Sequence, residues 1–137
     1  MSTTPTPTIW PTLTYRDAPA AIAWLCGSFG FVEVLVVPGD GDGVVEHAQL
    51  AWPEGGGIML GTADREGNVF SQRPLGAGST YVVTDRPDEL WDRSRAAGAE
   101  PVRELRDEDY GGRGFSVRDP EGNIWSFGSY RGEPLPE

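Results

Sequence analysis

The single histidine of this chain, His47, stands in the run Glu46-His47-Ala48-Gln49-Leu50. On an extended strand His47 and Gln49 share one face and Glu46 points to the other. An imidazole beside a carboxamide can hydrogen-bond a ligand, and imidazole is the side chain suited to taking a proton near neutral pH. The competing role is a strand histidine bonded to structural neighbours. The other groups with chemical reach are aromatic. Trp10, Trp52, Trp125, Phe70 and Tyr110 are candidate walls for a flat or cationic ligand, through stacking and cation–π contact, with core packing as the competing role of each. Trp24 and Trp91 fall in helical stretches and read as core. Gly39 to Gly43 alternates with Asp40 and Asp42 in the manner of a calcium loop, but Val44 breaks that pattern and leaves a hairpin turn. No G-x-S-x-G, P-loop or nucleotide fingerprint is present, and one strand histidine does not make a Ser-His-Asp arrangement.

The elements that must position these groups come in two similar sets. Asp17/Asp85, Pro19/Pro87 and Gly30/Gly98 are each 68 residues apart, a register that marks a duplicated supersecondary unit. In the first unit residues 9–15 read as a strand, with Pro11 marking an edge position or an irregular start. Asp17 reads as a helix N-cap and Pro19 as a first-turn residue. Ile22, Leu25, Cys26 and Phe29 then form one apolar helical face, closed by Gly30. Residues 31–37, 44–52 and 57–61 read as strands. The second unit repeats the order, with a strand at 79–84, a helix at 87–97 using Leu90, Trp91, Ser94 and Ala97, and strands at 100–105, 114–118 and 124–130. The last two strands flank the tight turn Asp119-Pro120-Glu121-Gly122-Asn123. The reading is an α+β fold of two βαβββ modules whose curved mixed sheets surround a central cup. Module one spans 9–61, a linker 62–77, and module two 78–130, making one domain at 9–130 with flexible tails at 1–8 and 131–137.

The 137 residues carry 21 carboxylates against 11 arginines and no lysine, a net charge of −10. Such a surface repels phosphate backbones and disfavours nucleic acid as a partner, and its field draws in cationic small molecules or serves solubility alone. No apolar run nears the roughly 20 residues that span a bilayer, and residues 1–8 lack the pattern of a signal peptide, so no membrane partner is expected. The lone Cys26 forms no internal disulfide, which suits a reducing cytoplasm.

Several phrases carry a family resemblance: residues 13–25 (LTYRDAPAAIAWL), the helix ending Phe29-Gly30-Phe31, the strand 46–50 (EHAQL), and residues 110–125 (YGGRGFSVRDPEGNIW). Over residues 9–130 the chain resembles the vicinal oxygen chelate superfamily, which includes glyoxalase I, extradiol dioxygenases and bleomycin-resistance proteins. The resemblance implies a cup and, in the family's enzymes, a divalent metal held by His, Gln or Glu from the first and last strands of each module. The corresponding positions here are Trp10, Gly78, Met59 (or Leu60 with a slip of one) and Ser126. None is a competent ligand for catalytic Zn, Fe or Mn, so no metal and no cofactor are expected. Ser126 rather than Trp125 should face the cup. The family's loop over the cavity corresponds to residues 106–113, adding Tyr110 and Arg113 as contacts, although a solvated loop is the competing role.

The expectation is a metal-free binding protein, similar to the bleomycin-resistance group, that sequesters an antibiotic-like aromatic or cationic small molecule as a homodimer. The expected ligand-binding residues are Trp10, His47, Gln49, Trp52, Met59, Phe70, Tyr110, Arg113 and Ser126, and none is assigned a catalytic role. The alternative is an enzyme of the same superfamily: a metal-free isomerase or lyase using His47, Glu46 or Tyr110, or a lyase or dioxygenase with a relocated metal.

Overall fold

The computed structural model describes residues 7–134 and 136. Of the two expected tails, residues 1–6, 135 and 137 lie outside the described residues. The elements run β1 (Thr12–Tyr15), α1 (Ala18–Phe29), β2 (Val32–Pro38), β3 (Val45–Ala51), β4 (Gly57–Thr62), a 3-10 turn (Val69–Ser71), β5 (Ser79–Val83), α2 (Pro87–Ala96), β6 (Glu100–Asp107), β7 (Arg113–Arg118) and β8 (Ile124–Gly128). They form two four-stranded sheets, ordered β1-β4-β3-β2 and β5-β8-β7-β6. The outer pairs β1–β4 and β5–β8 are parallel and the rest antiparallel, so each sheet is mixed. The α+β architecture of two βαβββ modules is the one read from the repeat.

Local chemistry explains most boundaries. The Asp17 carboxylate accepts from Ala20 N at 3.2 Å and starts α1, as an N-cap does. Gly30, at φ 91°, ends it with its N–H on the Cys26 carbonyl, in the left-handed conformation glycine adopts without penalty. Ile22, Leu25 and Phe29 are buried as their spacing predicts, whereas Cys26 is only half-buried. Desolvation by that burial, with Glu33 nearby, raises its thiol pKa. In the second module the parallel stops short of the cap. Arg86 holds the N-cap position without a side-chain capping bond, and Asp85 pairs instead with Arg131 at 2.6 Å. The first strand is shorter than read, because Trp10 and Pro11 precede β1, although the Pro11 carbonyl already accepts from Met59 N at 2.9 Å.

The two modules share one core. Phe29, at the end of α1, packs 5.5 Å from Trp125 and 4.7 Å from Phe127 of β8. Phe31 and Trp52 of module one pack against Trp125 and Phe127 respectively, at 5.6 and 5.8 Å. Each sheet therefore commits one face to the common interior and leaves the other open. Two matching clasps fix the seam. Glu121, in the β7–β8 turn, accepts from the backbone N–H of Arg16 and Asp17 at 2.7 and 2.9 Å, at the entry to α1. Glu54, in the β3–β4 turn, accepts from Asp85 N and Thr84 Oγ1 at 2.9 and 2.8 Å, at the entry to α2. Both glutamates lie in Pro-Glu-Gly turns 67 residues apart, so the duplication extends into the turns and each module steadies the other's helix.

Candidate ligand-binding site

Alternation decides what the open faces show. On the first sheet, Thr12 of β1 pairs with Met59 of β4, and Gln49 of β3 pairs with Met59 from the other side. Thr14 pairs with Gly61, and continuing the β3–β4 register sets His47 opposite Gly61. Leu60 and Ile58 point into the core. A depression of about 290 Å³ opens on this face, lined by Thr12, Thr14, Glu46, His47, Met59, Gly61, Arg65, Asn68 and Phe70 among others. Phe70 is 76% exposed at its rim. Its turn is held firmly, because Asn68 Oδ1 accepts from Phe70 N and the buried Ser71 hydroxyl bonds Arg65 N and the Asn68 carbonyl. Trp10 lies one step beyond Thr12. Its ring sits over Gly57, where an added Cβ would stand 2.8 Å from Trp10 Cζ3.

The second sheet's open face is a polar depression of about 100 Å³ lined by Tyr81, Arg103, Glu108, Tyr110, Arg113, Ser116, Ser126 and Tyr130. Ser126 and Ser116 share a hydrogen bond at 2.7 Å. Tyr81 donates to the Tyr130 carbonyl at 2.6 Å, and Tyr110 meets Tyr130 edge-on at 5.1 Å. Burial, and then Tyr110, raises the Tyr81 pKa. Arg113 is held by Asp88 at 2.8 Å and Asp107 at 3.3 Å. Its hydrogen bond to Asp88, above all, raises its pKa.

The sequence-derived residues thus fall into two groups. His47, Met59 and Phe70 line the first depression, with Gln49 beside Met59 and Trp10 at the sheet's end. Tyr110, Arg113 and Ser126 line the second. The two depressions share no residue, one lying on each sheet. Trp52 belongs to neither. It is 6% exposed, packs on Phe31 and Phe127, and donates its indole N–H to the Val83 carbonyl at 3.1 Å. It borders a cleft of about 270 Å³ at the module seam. Trp125 is wholly buried, donating to Asp119 at 3.0 Å.

The positions that hold metal in the family's enzymes can be tested against this geometry. The first-strand neighbour of Met59 is Thr12, with Trp10 outside the strand. Gly78 does not face the open side: a Cβ there would meet Leu13 at 2.7 Å and Asn123 at 2.8 Å, in the packed seam. The β5 residue beside Ser126 is Tyr81. Thr12, Met59, Tyr81 and Ser126 offer no imidazole or carboxylate, and among the described residues no three His, Cys, Asp or Glu side chains converge on a metal-sized site. These donors do not fit a catalytic divalent metal.

Sequence reading missed Tyr81, Ser116, Tyr130, Arg65 and Arg73. Ser116 and Tyr81 could have been found from register with Ser126. The two arginines lie in the linker, where no periodicity points to a face.

Paired βαβββ modules with open concave sheets define a class of small-molecule-binding and metalloenzyme folds. A family model, the Glyoxalase/Bleomycin resistance protein/Dioxygenase superfamily, matches residues 9–127, and the chain belongs to that superfamily. An uncharacterized protein of Mycobacterium bovis is 36% identical over 128 residues, covering 89% of this chain and 82% of the relative. Among solved structures, TioX from Micromonospora sp. ML1 superposes with a TM-score of 0.73 at 32% identity, covering 88% of this chain and 98% of TioX. A lactoylglutathione lyase from Agrobacterium tumefaciens superposes with a TM-score of 0.68 at 20% identity, covering 91% and 94%, and shares the fold.

Proposed function

We propose that this protein is a metal-free small-molecule-binding member of the superfamily, sequestering an antibiotic-like aromatic ligand without breaking a bond. The observation that carries the reading is the chemistry of the four family metal positions, taken with the aromatic and hydroxyl groups that line the open faces in their place. A site without imidazole or carboxylate donors cannot acidify a water or polarise a carbonyl through a resident metal. Two half-cups on separate faces favour a homodimer in which module one of one copy closes on module two of another. The mostly apolar first face and the hydroxyl-rich second would then enclose the ligand, giving an apolar cavity with a few polar anchors. The 32% identity to TioX over nearly all of that chain supports a site built on the same framework. The lone, half-buried Cys26 supports a reducing cytoplasmic setting.

The test is a thermal-shift screen of the purified chain against antibiotics and aromatic metabolites, with elemental analysis of the same sample. A true ligand at a hundred times its Kd stabilises the fold by about 2.7 kcal/mol, and His47→Ala and Met59→Ala should weaken the hit. Stoichiometric divalent metal, or turnover of a hit that His47→Ala abolishes, would replace this reading with an enzyme.

A further inference from the structure

We infer that the first half-cup contains an anion-recognition subsite centred on Arg65, with Arg73 at its edge, and that the ligand carries a carboxylate or equivalent anionic group. This rests on the ligand-binding reading above and reverses the cationic preference that net charge alone implies. Six ion pairs occur among the described residues, and they engage Arg86, Arg103, Arg106, Arg113 and Arg131. Arg65 and Arg73 take part in none of them, yet both border β1. Arg16, Arg93, Arg95 and Arg118 are likewise outside these pairs, but of the six Arg65 lines the first depression, with Arg73 in the adjoining one along β1.

The geometry holds Arg65 ready. Its Nε donates to the Thr62 carbonyl at 2.9 Å, and its backbone N–H and carbonyl are both tied to the Ser71 hydroxyl. Its Nη2 lies 3.0 Å from where a Cβ on Gly61 would stand. The glycine therefore leaves room for a guanidinium laid across the sheet between Thr14 and His47. With Nε committed, the two Nη groups remain to meet an anion, in the forked arrangement that favours carboxylates. Arg73 Nη1 reaches Thr12 Oγ1 at 3.5 Å, placing a second cation beside the same strand. Glu46 lines this depression too; the register shift between Val37 and Pro38 makes it the extra residue of a bulge on β3, so its exposed carboxylate stays on the side of His47, yet it forms no ion pair with Arg65. The second half-cup supplies no surplus of negative charge to attract a cation, because Glu108 is shared by Arg103 and Arg106.

The experiment titrates the full isotope-labelled chain at fixed ionic strength with three matched probes: 2-naphthoate, 2-naphthamide and 2-naphthylmethylammonium. Binding is read from the amide signals of Thr12, Thr14, His47 and Gly61. Naphthoate should bind at least tenfold more tightly than naphthamide, and the ammonium probe most weakly. Arg65→Met should bring naphthoate and naphthamide within twofold of each other, while Arg65→Lys keeps the order. Arg73→Met, at an exposed position, should weaken naphthoate severalfold and leave naphthamide unchanged, which provides the test if Arg65→Met fails to fold. Equal or tighter binding of the amide or ammonium probe, or a preference left undiminished in Arg65→Met and Arg73→Met, overturns the anion subsite and leaves the ligand-binding reading intact. No binding by any probe at millimolar concentration overturns both.

Discussion

Asp119 is 5% exposed, and its carboxylate gathers five donors. Oδ2 accepts from the Tyr15 hydroxyl at 2.6 Å, Trp125 Nε1 at 3.0 Å and Asn123 Nδ2 at 3.3 Å. Oδ1 accepts from Glu121 N at 3.0 Å and Asn123 N at 3.1 Å. One side chain thus shapes the β7–β8 turn and ties it to β1 of the other module. Asp119→Ala strands Tyr15 and Trp125, both at most 1% exposed. Counting only those two donors, at about 1.5–2 kcal/mol each for a hydrogen bond to a charged group, the cost is about 3–4 kcal/mol. That is a large part of the roughly 5–15 kcal/mol that holds a domain together. Asp119→Asn keeps an oxygen for the two backbone N–H groups but turns an amide donor toward Trp125 Nε1, costing about 2 kcal/mol. Tyr15→Phe removes one donor and strands none, costing about 1 kcal/mol. Urea unfolding followed by tryptophan fluorescence and circular dichroism should rank the variants Ala, Asn, Phe from most to least damaging. A loss under about 1 kcal/mol for Asp119→Ala, or Tyr15→Phe costing as much as Asp119→Ala, would refute the hub.

Two further outcomes follow from the same seam. Burial first, and then the Asp119 charge, raises the Tyr15 pKa far above the ordinary phenol value. Its contribution to stability is therefore complete below about pH 10 and falls as pH rises, because the unfolded chain releases a proton that the native one keeps. The slope is up to about 1.4 kcal/mol per pH unit. Tyr15→Phe should flatten the alkaline limb of a stability–pH curve, and an unchanged slope would remove this account. Glu121→Ala should cost about 1–2 kcal/mol and speed hydrogen exchange at the Arg16 and Asp17 amides, while Glu54→Ala should do so at Asp85. Exchange unaltered at those amides would show the clasps to be idle.

Much of the fold was legible because its signals are local. The Asp, Pro and Gly landmarks recur at fixed offset, β-rich segments follow each helix, and Asp17 and Gly30 do at α1 what such residues do anywhere. The cap fails at α2 because Asp85 has a partner 46 residues away, and no local rule weighs Arg131 against a helix end. The same limit governed the site. Ser126 facing out and Trp125 facing in could be read from alternation on one strand. Trp52 could not be assigned, since an indole at the end of β3 serves core or cavity according to what the other module sets against it.

The amino-acid order alone determined the duplicated modules, the acidity and the absence of imidazole or carboxylate at the family's metal positions, because these depend on residue identity and short-range spacing. Tertiary packing alone decided that the two depressions lie on different sheets, that Gly78 lies in the seam, and that linker arginines border β1. Those outcomes depend on which surfaces meet across more than sixty residues, and apolar burial between modules, not local propensity, makes that choice.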